Sequence, residues 1–283
     1  MSKKTMPQLR AEAELMASWL RRQVFGNGFD GVVIGMSGGF DSSFCAFIAS
    51  CSEALGPDGV VGILMPCRSS GESIEYGLKT CKELNIRHFI VDLEPAYIAM
   101  TSLLNTVRTQ QGLPLLGPLE GGNIKARMRM NVLYSFNWVM NLLVLNTCNL
   151  SETLTGNETK WGDAVGDLGL LNNYTKTELR HMAVVLGFDF RFPEIFDAVP
   201  TPDLEEDNPG HTDENIMGLS YDVLDACIRG HDSIGSSLVP VTPRSMKKFQ
   251  EMRFRSQHKR DPMPCFDPEM EIDRISAKTV DNL

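Results

Sequence analysis

Apolar residues gather into short strand-like runs at Gly31 to Gly35, Val60 to Pro66, His88 to Leu93 and Leu142 to Asn146, each the length of one strand. Between them the apolar positions change to helical spacing, first at Ala13, Met16, Leu20 and Val24, then through 42–54, 72–84 and 126–140. Strands tolerate continuous apolar sequence only when both their faces are covered. The alternation therefore predicts an α/β fold, a parallel sheet with helices on both faces. A helix is expected after Thr177 through Leu186, a short one over Tyr221 to Ile228, and a last one over the basic run Met246 to Lys259. Arg108 to Asn123 and Pro193 to Thr212 are rich in Gly, Pro or acids and lack a period. They are expected as long loops, the first mobile and close to the site. The expected organisation is one domain over residues 1–283, with an N-terminal helix at 7–26, an α/β core at about 30–190 and C-terminal loops and helices at 191–283.

Composition narrows the class. Hydrophobic residues make up 42% and charged residues 22% of the 283, the balance of a globular chain with a large core. The most apolar region, Val132 to Leu145, is interrupted by Ser135, Asn137 and Asn141, and reads as a buried helix running into a strand. It is not a membrane span, and the N-terminus has no continuous apolar segment of the secretory kind. A formal charge of −9 argues against general nucleic-acid binding, which needs surplus Lys and Arg. The cysteines at 45, 51, 67, 81, 148, 227 and 265 form no C-x-x-C pair. They read as reduced core thiols of a cytoplasmic protein, without structural zinc.

The chemistry concentrates at Ser37-Gly38-Gly39-Phe40-Asp41-Ser42-Ser43, between the run ending at Met36 and the helix entered at Phe44. A strand, a glycine turn and a helix start bring outward-pointing amides to the positive end of a helix dipole, which is an anion cradle. Glycines at 38 and 39 let the main chain approach the anion. The loop lacks the Lys of a Walker loop and the G-x-G-x-x-G of a dinucleotide turn. Its acid, Asp41, sits beside phosphate comfortably only if a divalent cation bridges the two. The competing reading is a plain strand-to-helix turn with Asp41 as a helix cap.

Ser-Gly-Gly-x-Asp-Ser resembles the loop of the ATP pyrophosphatases, which cleave ATP between the α and β phosphates. Further motifs follow in order: Asn123-Ile124-Lys125-Ala126-Arg127-Met128-Arg129-Met130, Thr159-Lys160-Trp161-Gly162-Asp163, Pro200-Thr201-Pro202-Asp203-Leu204 and His258-Lys259-Arg260. With these the chain resembles the ammonia-dependent NAD synthetases from about Gly31 to about Phe266. The resemblance implies an adenine-nucleotide alpha-hydrolase-like, Rossmann-like sheet without a glutaminase domain. It also implies a ligase in which the carboxylate of deamido-NAD attacks the α-phosphate of ATP, and ammonia then displaces AMP. No protein nucleophile is needed, so positioning and electrostatics should carry catalysis.

Carried over to this chain, the resemblance gives Asp41 and Glu152 as Mg²⁺ ligands and, with Lys176, as the catalytic residues. ATP would be held by Gly35, Met36, Ser37, Gly38, Gly39, Phe40, Asp41, Ser42, Thr147, Lys176 and Thr201. Deamido-NAD would be held by Arg127, Lys160, Asp167, His258 and Lys259. A homodimer is implied as well, with the helix from Met128 to Met140 either in the interface or in the core. Asn157-Glu158 stands where the family carries aromatics, and Asn146 where glycine is common. Stacking on the pyridine ring then falls to Trp161 or to a partner subunit. Another ATP pyrophosphatase, amidating a purine nucleotide or modifying tRNA, and a non-catalytic nucleotide-binding homologue stay open as alternatives.

Overall fold

Val32, Val33 and Ile34 are buried from both sides, which is why their strand, β1 (Gly31–Gly35), has no polar face. A computed structural model describes residues 4–201, 212–230 and 239–263, and in it β1 is the middle strand of five. With β2 (Val60–Leu64), β3 (Arg87–Ile90), β4 (Leu142–Asn146) and β5 (Leu168–Gly169) it forms a parallel sheet in the order β3-β2-β1-β4-β5. Chain order reverses between β1 and β4, so a crevice opens outside their carboxyl ends, where ligands bind in sheets of this kind.

The helices are α1 (Met6–Phe25), α2 (Phe40–Ala49), α3 (Gly71–Glu83), α4 (Glu94–Gln110), α5 (Pro118–Met140), α6 (Leu150–Thr155) and α7 (Lys176–Leu186). After them come α8 (Phe188–Arg191), α9 (Pro193–Asp197), α10 (Asp213–Met217), α11 (Tyr221–Arg229), α12 (Pro243–Arg255) and α13 (Gln257–Arg260). Val32 and Ile34 face a core made with α1, α2, α3, α7, α8 and α9. Its centre is aromatic: Phe40, Phe44, Phe47, Phe188 and Phe192 meet edge to face or offset, with Phe188 and Phe192 4.9 Å apart between ring centres. Val33, on the other face, joins Val61, Ile63, Leu142 and Val144 under α4 and α5. A third, smaller cluster of Met217, Tyr221, Leu224, Cys227 and Phe249 lies among α10, α11 and α12.

The expected elements are present, with corrections. The segment 108–123 is not one mobile loop: α4 runs to Gln110, and α5 begins at Pro118, whose missing N–H suits the first helical position. Glycines inside a helix, which suggested a loop, have a packing reason here. A side chain at Gly121 would meet the Tyr97 hydroxyl at 2.6 Å. The C-terminal half of α5 is not the buried helix expected either, since Trp138 is 87% and Val139 81% exposed. Pro193 opens α9, and 202–211 lies outside the described residues. The last helix starts earlier than expected, capped by Thr242, and Ser256 divides it into α12 and α13. No described helix is long and apolar enough to cross a membrane.

Candidate active site

The loop after β1 is held by its own hydroxyls. Ser37 Oγ lies 2.9 Å from Ser42 Oγ and accepts from the Gly39 N–H at 3.2 Å, while the Met36 N–H donates to the Ile63 carbonyl. Gly38 has φ +82°, and a Cβ there would stand 2.0 Å from the Ser73 carbonyl oxygen of α3. Glycine is required by both backbone and neighbour. Phe40 opens α2 with its ring buried in the aromatic core, so toward a nucleotide it offers its amide and not its ring.

Asp41, in the first turn of α2, leads to the centre of the site. The Lys176 ammonium donates to its carboxylate and lies 3.9 Å from Glu152 Oε1. Asn149 Nδ2 donates to Asp41 Oδ1 at 3.2 Å. The Asn149 side chain also accepts from the Glu152 N–H, and the Glu152 carboxylate accepts from the Asn149 N–H in return, a capping box that fixes the start of α6. Lys176 is 4% exposed in its side chain and lies between the rings of Phe40 and Tyr221, 5.5 and 5.3 Å from their centres. The Tyr221 hydroxyl donates to the buried carboxylate of Asp213 at 2.9 Å.

Burial governs the charges. It pushes the Glu152 carboxyl well above the ordinary range, the Asp41 charge adds to the push, and Lys176 offsets only part of it. Burial pulls the Lys176 ammonium down, but Asp41 and Glu152 outweigh it, so its pKa is raised and it stays a cation. Burial and the same carboxylates push the Tyr221 hydroxyl far upward, which keeps it a donor.

A second cluster flanks the first. Arg127, on α5, donates to the Lys160 carbonyl at 3.2 Å, and the Lys160 ammonium reaches the His258 carbonyl. Lys259 donates to the carbonyls of Gly156 and Glu158. The three predicted motifs at 123–130, 159–163 and 258–260 thus come together, and Trp161, with φ +63° and 56% exposed, lies under the Lys160 ammonium. Asn146 ties this region to the sheet. It donates to the Asp163 carbonyl at 2.7 Å and accepts from the Cys148 N–H, so a polar side chain replaces glycine to a structural end.

Thr147 is half-buried just past β4, and Thr201 is exposed next to Pro200, whose carbonyl accepts from the Asp213 N–H. Asp167 is not brought into either cluster. Its carboxylate accepts from the Val144 N–H, Asn137 and Tyr134, which docks β5 and α5 onto β4. Asn149, Asp213 and Tyr221 receive no site role from the sequence. For Asn149 the signal existed, because Asn-x-x-Glu ahead of an apolar turn is a capping box. For Asp213 and Tyr221 only the fold supplies it.

A model of the NAD synthase family matches residues 12–263. The chain belongs to the NAD synthase family. It is 35% identical over 263 residues to the NH(3)-dependent NAD(+) synthetase of Syntrophomonas wolfei, covering 92% of this chain and 98% of that one. It is 37% identical over 216 residues to the enzyme of the same name from Thermococcus kodakarensis, covering 76% and 78%. The solved NMN synthetase of Francisella tularensis superimposes with a TM-score of 0.77 at 26% identity, covering 92% and 98%. An NH3-dependent NAD synthetase from Campylobacter jejuni gives 0.68 at 23%, a likeness of fold. This NAD synthase family chain is therefore a ligase with the Rossmann-like sheet expected of it, and its family uses ATP.

Among the described residues no three His, Cys, Asp or Glu side chains are grouped to hold a metal ion. Asp41 and Glu152 still fit Mg²⁺. They are hard oxygen donors converging on one buried cation, and magnesium takes one or two carboxylates and completes its shell with phosphate oxygens and water.

Proposed function

We propose that the chain forms an amide on deamido-NAD from ATP and ammonia, releasing AMP and pyrophosphate. The observation that carries this is the Asp41–Lys176–Glu152 cluster at the mouth of the Ser37–Ser42 loop, beside the cationic cluster of Arg127, Lys160 and Lys259. The loop amides and the α2 N-terminus take the departing phosphates. Lys176, held charged by its carboxylates, supports the negative charge that grows there. Asp41 and Glu152 would hold Mg²⁺, a Lewis acid that stabilises the leaving pyrophosphate. Arg127, Lys160, His258 and Lys259 orient the dinucleotide so that its carboxylate meets the α-phosphate. Ammonia then attacks the activated carbonyl. Incubation with Mg-ATP, ammonium and deamido-NAD should yield AMP and NAD in equal amounts. Absence of both, or glutamine replacing ammonium as the donor, would overturn the reading.

A second reading concerns the acceptor. The NMN synthetase superimposes more closely than the NAD synthetase from Campylobacter jejuni, which favours a nicotinate mononucleotide. Competition between the two acceptors at equal concentration decides it. The same proposal includes a homodimer through α4 and α5, supported by the exposure of Leu103, Leu119, Trp138 and Val139. It includes a reducing, cytoplasmic setting, supported by six free thiols among the described residues.

A further inference from the structure

Asp225, on α11, is fully buried and has both carboxylate oxygens committed. Ser151 Oγ donates to its Oδ1 at 2.6 Å, and the Thr177 N–H donates to its Oδ2 at 2.8 Å. The Lys176 N–H in turn donates to Ser151 Oγ at 3.0 Å. Ser151 precedes Glu152 in the first turn of α6, and Lys176 and Thr177 open α7. The first amides of a helix have no partner within it. On α7 the Thr175 side chain takes the Glu178 N–H, and the Lys176 and Thr177 amides are taken from outside, by Ser151 and Asp225.

One carboxylate from a third helix thus ties together the two turns that carry Glu152 and Lys176. We propose that Asp225 is a positioning residue which, through Ser151 and Thr177, sets the placement of Glu152 against Lys176 and so the cluster that meets the ATP phosphates. It touches neither the substrate nor the reacting atoms. The proposal rests on reading that cluster as the adenylation site.

An asparagine at 225 conserves size and its Oδ1 can still accept from the Thr177 N–H, but its amide nitrogen then donates to Ser151 Oγ, so the Ser151 hydroxyl proton loses its acceptor and the charge is gone. In Asp225→Asn, kcat for AMP formation should fall roughly 10- to 100-fold, the loss expected when catalytic groups shift by about 1 Å. The Mg²⁺ concentration giving half-maximal rate should rise. KM for deamido-NAD should stay within twofold, because Arg127, Lys160 and Lys259 lie on other elements. Ser151→Ala should reproduce the split, and the double variant should be no slower than Asp225→Asn alone, since both act through one circuit. All rates are compared at 25 °C in protein shown to be folded by circular dichroism. If Asp225→Asn does not fold, Ser151→Ala carries the same expectations. A kcat within twofold of the parent, losses that multiply in the double variant, or a parallel rise in KM for deamido-NAD would overturn the proposal. An inactive parent chain would instead overturn the functional reading beneath it.

Discussion

Replacing Gly38 by alanine tests the wall behind the phosphate loop. A left-handed φ of +82° costs a non-glycine residue about 1 to 2 kcal/mol. The added Cβ would sit 2.0 Å from the Ser73 carbonyl oxygen, and ordinary contact needs a displacement of about 1.4 Å. Ser73 is backbone in the first turn of α3, so the loop is the partner that gives way. Gly187 provides the control, with φ +76° and ψ +19° in the left-handed helical region and nothing within 4 Å of a Cβ. Gly187→Ala should lose about 1 kcal/mol, and Gly38→Ala about 2 to 4 kcal/mol, read by denaturant titration. A loop moved by more than 1 Å also misplaces the amides, so pyrophosphate release by Gly38→Ala should fall about 100-fold while Gly187→Ala stays normal. Equal stability losses in the two variants, with normal turnover in Gly38→Ala, would refute a rigid wall.

Three further outcomes are expected. Because burial raises the Glu152 carboxyl, protons compete with Mg²⁺ there, so half-saturating Mg²⁺ should fall as pH rises and Glu152→Gln should flatten that dependence. Lys176→Met leaves Asp41 and Glu152 buried without their cation, a loss of about 3 to 5 kcal/mol. Its melting point should therefore drop in EDTA and recover with Mg²⁺ by more than that of the parent, with adenylation abolished. Leu103→Glu or Trp138→Glu should convert a dimer to a monomer in sedimentation velocity without lowering the intramolecular stability, since both side chains are more than half exposed in one chain.

The strands and the glycine turn between β1 and α2 were legible because their signals are local. The run Val32 to Ile34 needs cover on both faces, and Gly38 needs its φ, whatever the rest of the chain does. α4 was not legible for the opposite reason. None of its residues is fully buried, so Ile98, Leu103, Leu104 and Val107 set up no one-sided stripe against a core. β5 is two residues long and exists because Asp167 anchors it to β4, a long-range cause with no local pattern. The same division holds in the site. Asp41 stands in a recognisable motif and Glu152 in a capping box, whereas Asp213, Tyr221 and Asp225 acquire their roles only when α10 and α11 fold back against α6 and α7. Asp167 is a substrate contact by resemblance, and its carboxylate is committed to β4 and α5.

The ion pair between Asp41 and Lys176 joins positions 135 residues apart, and this distance has a meaning in time. A ribosome adding 5 to 20 residues per second completes the phosphate loop roughly 7 to 27 seconds before Lys176 exists. Throughout that interval the nascent chain carries the loop without the counter-cation, and until Glu152 is made it lacks the second carboxylate as well. The Asp41–Lys176–Glu152 cluster therefore cannot assemble before α7 has been made, and on the proposed reading no partial chain that ends short of α7 can commit a nucleotide to cleavage.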